Sequence, residues 1–112
     1  MHKFVEIRAY NLEPGTRDEF DRLMRAECVP LLRQWQVDVV AFRASPHDTS
    51  SYYLIRAYDS LTQRIESQDA FYSSADWKQG PREAVLALIE HYTSVVIEMD
   101  EAMVAGLRRA GQ

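Results

Sequence analysis

Two arginine–tyrosine pairs are the residues of this chain best equipped for chemistry. The tetrapeptide Ile-Arg-Ala-Tyr occurs twice, at 7–10 and at 55–58. Alternate side chains of an extended strand share a face, so Arg8 stands with Tyr10 and Arg56 with Tyr58. A guanidinium is a rigid, permanently charged fork that matches a carboxylate, a phosphate or an enolate oxygen. A neighbouring phenol can donate to the same oxygen or stack on a ring. Four such groups on one surface describe a site for an aromatic or lipophilic molecule with an anionic or enolisable oxygen. Glu6, directly before the first repeat, and His91 are the groups that could move a proton there. The competing reading is structural. Glu6 or Glu98 would neutralise the arginines inside a packed layer, and the tyrosines would be ordinary interface aromatics. His91, beside Glu90 at a helix end, also suits a cap or a surface position.

The elements that must position these residues are legible from periodicity. Residues 3–10 alternate, with Val5, Ile7 and Ala9 on one side and Phe4, Glu6, Arg8 and Tyr10 on the other. Pro14-Gly15 ends that strand, and Thr16 with Glu19 has the spacing of a capping box. Phe20, Leu23, Met24, Cys28, Leu31, Leu32 and Trp35 recur at helical spacing, predicting an amphipathic helix over 17–35 that Pro30 kinks or breaks. Residues 37–44 and 52–58 read as a hairpin across a turn rich in Pro, Asp and Ser. Ser60 with Gln63 opens a helix to about Tyr72. Pro81 starts another, expected to reach Glu90. Residues 92–99 form a fourth strand, and Asp100 caps a final short helix.

The order β-α-β-β-α-β predicts an α+β, ferredoxin-like sandwich with an elaborated second helical region and a C-terminal helix. Right-handed crossovers give an antiparallel sheet in the order 4-1-3-2, with the two repeat-bearing strands central and adjacent. The small, branched set Val5, Ile7, Ala9, Tyr53, Ile55 and Ala57 suits contact with the helices. The opposite face then carries Phe4, Glu6, Arg8, Tyr10, Tyr52, Leu54, Arg56 and Tyr58. It is too aromatic for open water and too charged for a plain core. Two such faces packed together in a homodimer would enclose a mixed cavity.

Composition narrows the function classes. The 112 residues predict one domain, with a core over about 3–99 and an extension at 100–112. A net charge of −4 argues against non-specific contact with nucleic acid or an anionic membrane. RNA-recognition modules share the topology and stack bases on strands 1 and 3, but their basic, glycine- and aromatic-rich signature is missing. The single cysteine, Cys28, allows no internal disulfide and reads as core. With no long apolar run and no leader pattern, a cytoplasmic location is expected. The scattered histidines make no metal motif and the four glycines no phosphate loop, so neither metal nor cofactor is expected. Trp77 reads as a gate or as a loop anchor, Trp35 as core, and His47-Asp48 as turn chemistry.

Several longer patterns occur in order: the E-I-R-A-Y strand, Leu12 to Thr16, and Val29-Pro30-Leu31-Leu32. They continue with Y-x-I-R-A-Y-D-S-L at 53–61 and A-F-Y-S-S-A-D-W at 70–77. Together they resemble the NIPSNAP family of the dimeric α+β-barrel superfamily, over nearly all of 4–98. The resemblance implies a homodimer whose sheets form a barrel, with small antibiotic-biosynthesis monooxygenases as cousins. It implies no catalytic residues, because the family has no securely assigned reaction. Any enzymatic activity would be monooxygenase-like or proton-transfer chemistry on a small molecule. A non-catalytic dimeric interaction protein is the alternative. Animal members are longer, so their cellular roles do not transfer to this chain.

Overall fold

The computed structural model describes residues 2–110. The chain runs β1 (His2–Leu12), α1 (Arg17–Leu23), a π-helical turn (Met24–Cys28), α2 (Val29–Gln34), β2 (Asp38–Ala44) and β3 (Ser51–Tyr58). It continues through α3 (Leu61–Ser73), α4 (Ala75–Lys78), α5 (Arg82–Leu86), β4 (Ile89–Asp100) and α6 (Glu101–Ala110). The sheet order is β2-β3-β1-β4, and each neighbouring pair is antiparallel. This is the ferredoxin-like α+β arrangement, with the expected 4-1-3-2 order named from the other edge. The two repeats lie on the central strands, where Ile7 faces Ile55, Glu6 faces Arg56 and Arg8 faces Leu54. Residues 111 and 112 of the expected extension lie outside the described residues. Among the described residues no helix is long and apolar enough to cross a membrane.

Local chemistry accounts for most boundaries. Ser60 caps α3 by accepting from the Gln63 amide at 2.9 Å, and Asp100 caps α6 by accepting from the Met103 amide at 2.9 Å. The expected box at Thr16 does not form. The Thr16 hydroxyl donates to the Glu13 carbonyl at 2.7 Å, and Glu19 pairs with Arg22 at 2.5 Å instead. Pro30 has no amide to offer the preceding turn, and the helix widens into its π turn immediately before it. The helix opened by Pro81 ends at Leu86, and β4 begins at Ile89 rather than 92. Pairing of Ile89 with Leu12, past an irregularity at Asn11/Leu12, recruits this segment into the sheet. Trp35 is not core: it is 36% exposed, and its indole N–H donates to Asp76 at 3.1 Å, tying the end of α2 to α4.

The faces of the sheet are the reverse of the sequence expectation. The charged and aromatic face lies beneath α1–α5. There Phe20, Leu23, Met24, Cys28, Val29 and Leu32 pack on Tyr10, Tyr52 and Leu54. Val5, Ile55 and Ala57 face the other way, toward Val40, Ala41 and Val104 of α6. The inversion has a physical cause in α3. Its inward positions Arg64, Gln68 and Tyr72 are spaced four apart and polar, so they complement buried charge on the strands rather than an aliphatic surface. The aliphatic face is left to α6, which covers only part of it. Ile97 pairs with Val5, Val95 with Ile7 and Thr93 with Ala9, so they share that face. Val95 is 56% and Ile97 42% exposed.

Candidate functional site

β1 and β3 present Glu6, Arg8 and Arg56 to the underside of α3. Glu6 is fully buried and accepts from Arg56 through Nε at 3.1 Å and through a second, closer contact from Nη2. Arg64 donates to it at 2.6 and 3.1 Å, and Gln68 Nε2 sits 3.0 Å from both its oxygens. Burial alone would raise the pKa of the Glu6 carboxyl. The opposing pull of Arg56, the Gln68 and Arg64 hydrogen bonds and Arg8 brings its pKa down to about 2. Glu6 is therefore a fixed carboxylate at neutral pH and an anchor for the arginines, not a group poised to take a proton. The Gln68 amide also donates to the Tyr58 hydroxyl at 3.2 Å. Burial is the largest influence on Tyr58 and on Tyr10, and both phenols are pushed up and stay neutral.

Tyr72 of α3 joins the two arginines. Its hydroxyl accepts from Arg8 Nη1 at 3.0 Å and from Arg56 Nη1 at 2.8 Å. Its ring stands nearly perpendicular to Phe71 and Trp77, at 85° and 86°. Arg8 also donates to Ser94 Oγ at 3.2 Å, and its guanidinium lies over the Tyr92 ring, 4.7 Å from the centroid.

Beside this network a cleft of about 670 Å³ opens between the sheet and α3–α5. It exists because α5 is short and the helical layer stops before β4, leaving Tyr92 of that strand uncovered. Arg8, Tyr10 and Tyr72 form its polar wall, and Trp77, Val85, Ile89 and Tyr92 supply flat or aliphatic surface. Asp69 and Lys78 stand at it with opposite charges.

The structure thus brings Glu6, Arg8, Tyr10, Arg56 and Tyr58 onto one face, but not between two sheets. Of these, Arg8 and Tyr10 reach the cleft, whereas Arg56 is 1% exposed and locked to Glu6. Glu98 is not paired with any of these arginines. His91 does not line the cleft. Its side chain is 64% exposed, 3.9 Å from Glu90, at a second hollow lined also by His47 and Tyr10. Arg64, Gln68 and Tyr72 are site residues that strand alternation did not reveal. The signal that could have found them is the R-x-x-x-Q-x-x-x-Y spacing along one helical stripe. Trp77 is buried against Phe71 and Tyr72 and lines the cleft. Burial pushes the Cys28 thiol up to about 12, so it is no nucleophile. Among the described residues no cluster of His, Cys, Asp or Glu could hold a metal ion.

Comparison with known proteins gives the lineage. The NIPSNAP family model matches residues 5–99. No curated protein matches the chain. A NIPSNAP domain protein from Burkholderia xenovorans superposes with a TM-score of 0.77 at 20% identity, over 88% of this chain and 95% of that one. A NIPSNAP family protein of unknown function from Agrobacterium tumefaciens gives 0.80 at 21% identity, over 88% of each chain. A Nitrosomonas europaea protein named provisionally as an antibiotic biosynthesis monooxygenase gives 0.66 at 15% identity, over 88% of this chain and 91% of that one. At these identities the superpositions speak to fold alone. The family-model match spans most of the sequence, and the chain belongs to the NIPSNAP family.

Proposed function

We propose that this protein binds a small organic anion with a flat, apolar body in the cleft between its sheet and α3–α5, and that it works as a homodimer. The observation that carries the reading is Arg8. It lies on the cleft wall with two of its nitrogens engaged, by Ser94 and Tyr72, and its third 3.6 Å from Glu6, beyond hydrogen-bond reach. A guanidinium so placed has donors left for a ligand. The cleft volume lies within the usual range for small-molecule sites, and its walls combine apolar and aromatic surface with few polar groups. Support for the dimer comes from the partly uncovered aliphatic face of β1 and β4, where Val95 and Ile97 are exposed. The nucleic-acid alternative loses its main support, since Tyr10 and Tyr58 lie under helices and offer no open stacking platform.

The test is calorimetric titration of the wild type and R8M with benzoate, the simplest flat aromatic anion. Arg8→Met keeps the apolar stem and removes the fork. Binding to the wild type that falls at least tenfold in R8M supports the reading. Equal binding to both proteins removes Arg8 from it, and no binding to either favours a dimer whose role is interaction alone.

A further inference from the structure

Arg8, Arg56 and Arg64 converge on the single carboxylate of Glu6. Among the described residues none of the three pairs with a second carboxylate. Three guanidiniums against one carboxylate leave an excess of two positive charges. Guanidiniums do not lose protons in proteins, so the excess cannot be relieved by titration. Water reaches Arg64, whose side chain is 24% exposed, but does little to screen Arg56, which is fully buried, or Arg8, which is nearly so. Asp69 and Lys78, one negative and one positive, also line the cleft.

The donors left over point to where the balancing charge sits. Arg8 Nη2 stands 3.6 Å from Glu6, beyond hydrogen-bond reach of it. The Tyr72 oxygen already receives two guanidinium N–H groups, so its own proton must be donated, and no described residue accepts it. Both residues line the cleft, and the Tyr72 ring packs edge-on against Phe71 and Trp77. The hydroxyl is thus held in place before any ligand arrives.

We infer that the cleft selects a doubly charged organic acid, seated on Arg8 Nη2 and the Tyr72 O–H. The inference rests on the cleft being the ligand site and adds the ligand's charge and a second residue that reads it. A single carboxylate balances one of the two excess charges, and a second acidic oxygen group balances the other. A ring dicarboxylate and an aryl phosphate monoester both supply that chemistry. Tyr72 touches the ligand itself: it contributes a directed hydrogen bond and no charge.

The experiment compares benzoate, isophthalate and phenyl phosphate by calorimetric titration of the wild-type chain at pH 7.5 and low ionic strength. One of the two dianions should bind at least tenfold more tightly than benzoate, and the tighter one distinguishes a dicarboxylate from a phosphate source. The advantage should shrink as salt is added, because it is electrostatic. In R8M the dianion-to-monoanion ratio should collapse toward one. In Y72F all three probes should weaken by similar factors, leaving the ratio in place. If benzoate binds as tightly as both dianions, the charge inference is overturned and the cleft reading stands. If no probe binds, both fall. The wild-type comparison decides between these outcomes even where a variant fails to fold.

Discussion

Glu6 shows how one side chain sets the terms for the whole site. A carboxylate with no exposed surface is unfavourable in isolation, and only the donors Arg56, Arg64 and Gln68, with the nearby charge of Arg8, keep it ionised. Its folded pKa of about 2 lies below the ordinary value of 4.5, so protons bind the unfolded chain more readily. The stabilisation from Glu6 is therefore fully present above pH 4.5 and is lost as pH falls toward 2. A shift of that size corresponds to about 3 kcal/mol. E6Q, which keeps the shape and removes the charge, leaves Arg56 buried without a counter-ion. It should lower stability at pH 7 by about 3 kcal/mol or somewhat more. Urea unfolding from pH 7 to pH 2 checks the sign: the gap between wild type and E6Q should close over the acidic half of that range. A gap of constant size would show that Glu6 is held by packing rather than by charge.

At the scale of elements, the short helices that bound the cleft depend on a tight bend at Gly80. A Cβ there would meet the Asp76 carbonyl oxygen of α4 at 2.3 Å, which backbone cannot yield cheaply. G80A should therefore cost about 1–3 kcal/mol and displace Trp77 from the cleft wall. Gly106 in α6 is the contrast, since its nearest neighbour is the flexible end of Arg109 at 3.8 Å. G106A should raise stability by about 0.5–1 kcal/mol, as replacement of a helical glycine usually does. Thermal unfolding of both variants tests the pair, and a destabilised G106A would mean that α6 packs more closely than its surroundings suggest. The strands and long helices were legible in sequence because alternation and helical spacing are backbone geometry written in side-chain types. The strand order followed from connection handedness. The orientation of the sheet was not legible. Apolar count assigned Val5, Ile7 and Ala9 to the helices, whereas the polar stripe of α3 claims Glu6, Arg8 and Arg56. Pairing between buried charges is a property of two elements at once, and neither element's pattern displays it alone. The extra length of β4 was hidden for the same reason: Ile89 becomes strand only through its partner Leu12.

For the molecule as a whole, the sheet separates two surfaces of different chemistry. One side holds the charged network and the cleft, and the other carries the aliphatic residues proposed to meet a second copy. β4 belongs to both, since Tyr92 lines the cleft while Val95 and Ile97 point away from it. Exposed aliphatic surface on this face drives association by its removal from water, so charge placed there should oppose it. V95K/I97K introduces two like charges per copy, and four across a two-fold contact. Sedimentation should find the wild type at twice the chain mass and the double variant at the chain mass. Neither substituted side chain faces Arg8, so benzoate affinity of the monomeric variant should stay within about twofold of wild type, well inside the tenfold change that 1.4 kcal/mol produces. A wild type that sediments as a monomer would end the dimer proposal. A monomeric variant that has lost the ligand would instead show that the partner copy holds β4, and with it the cleft, in its binding form.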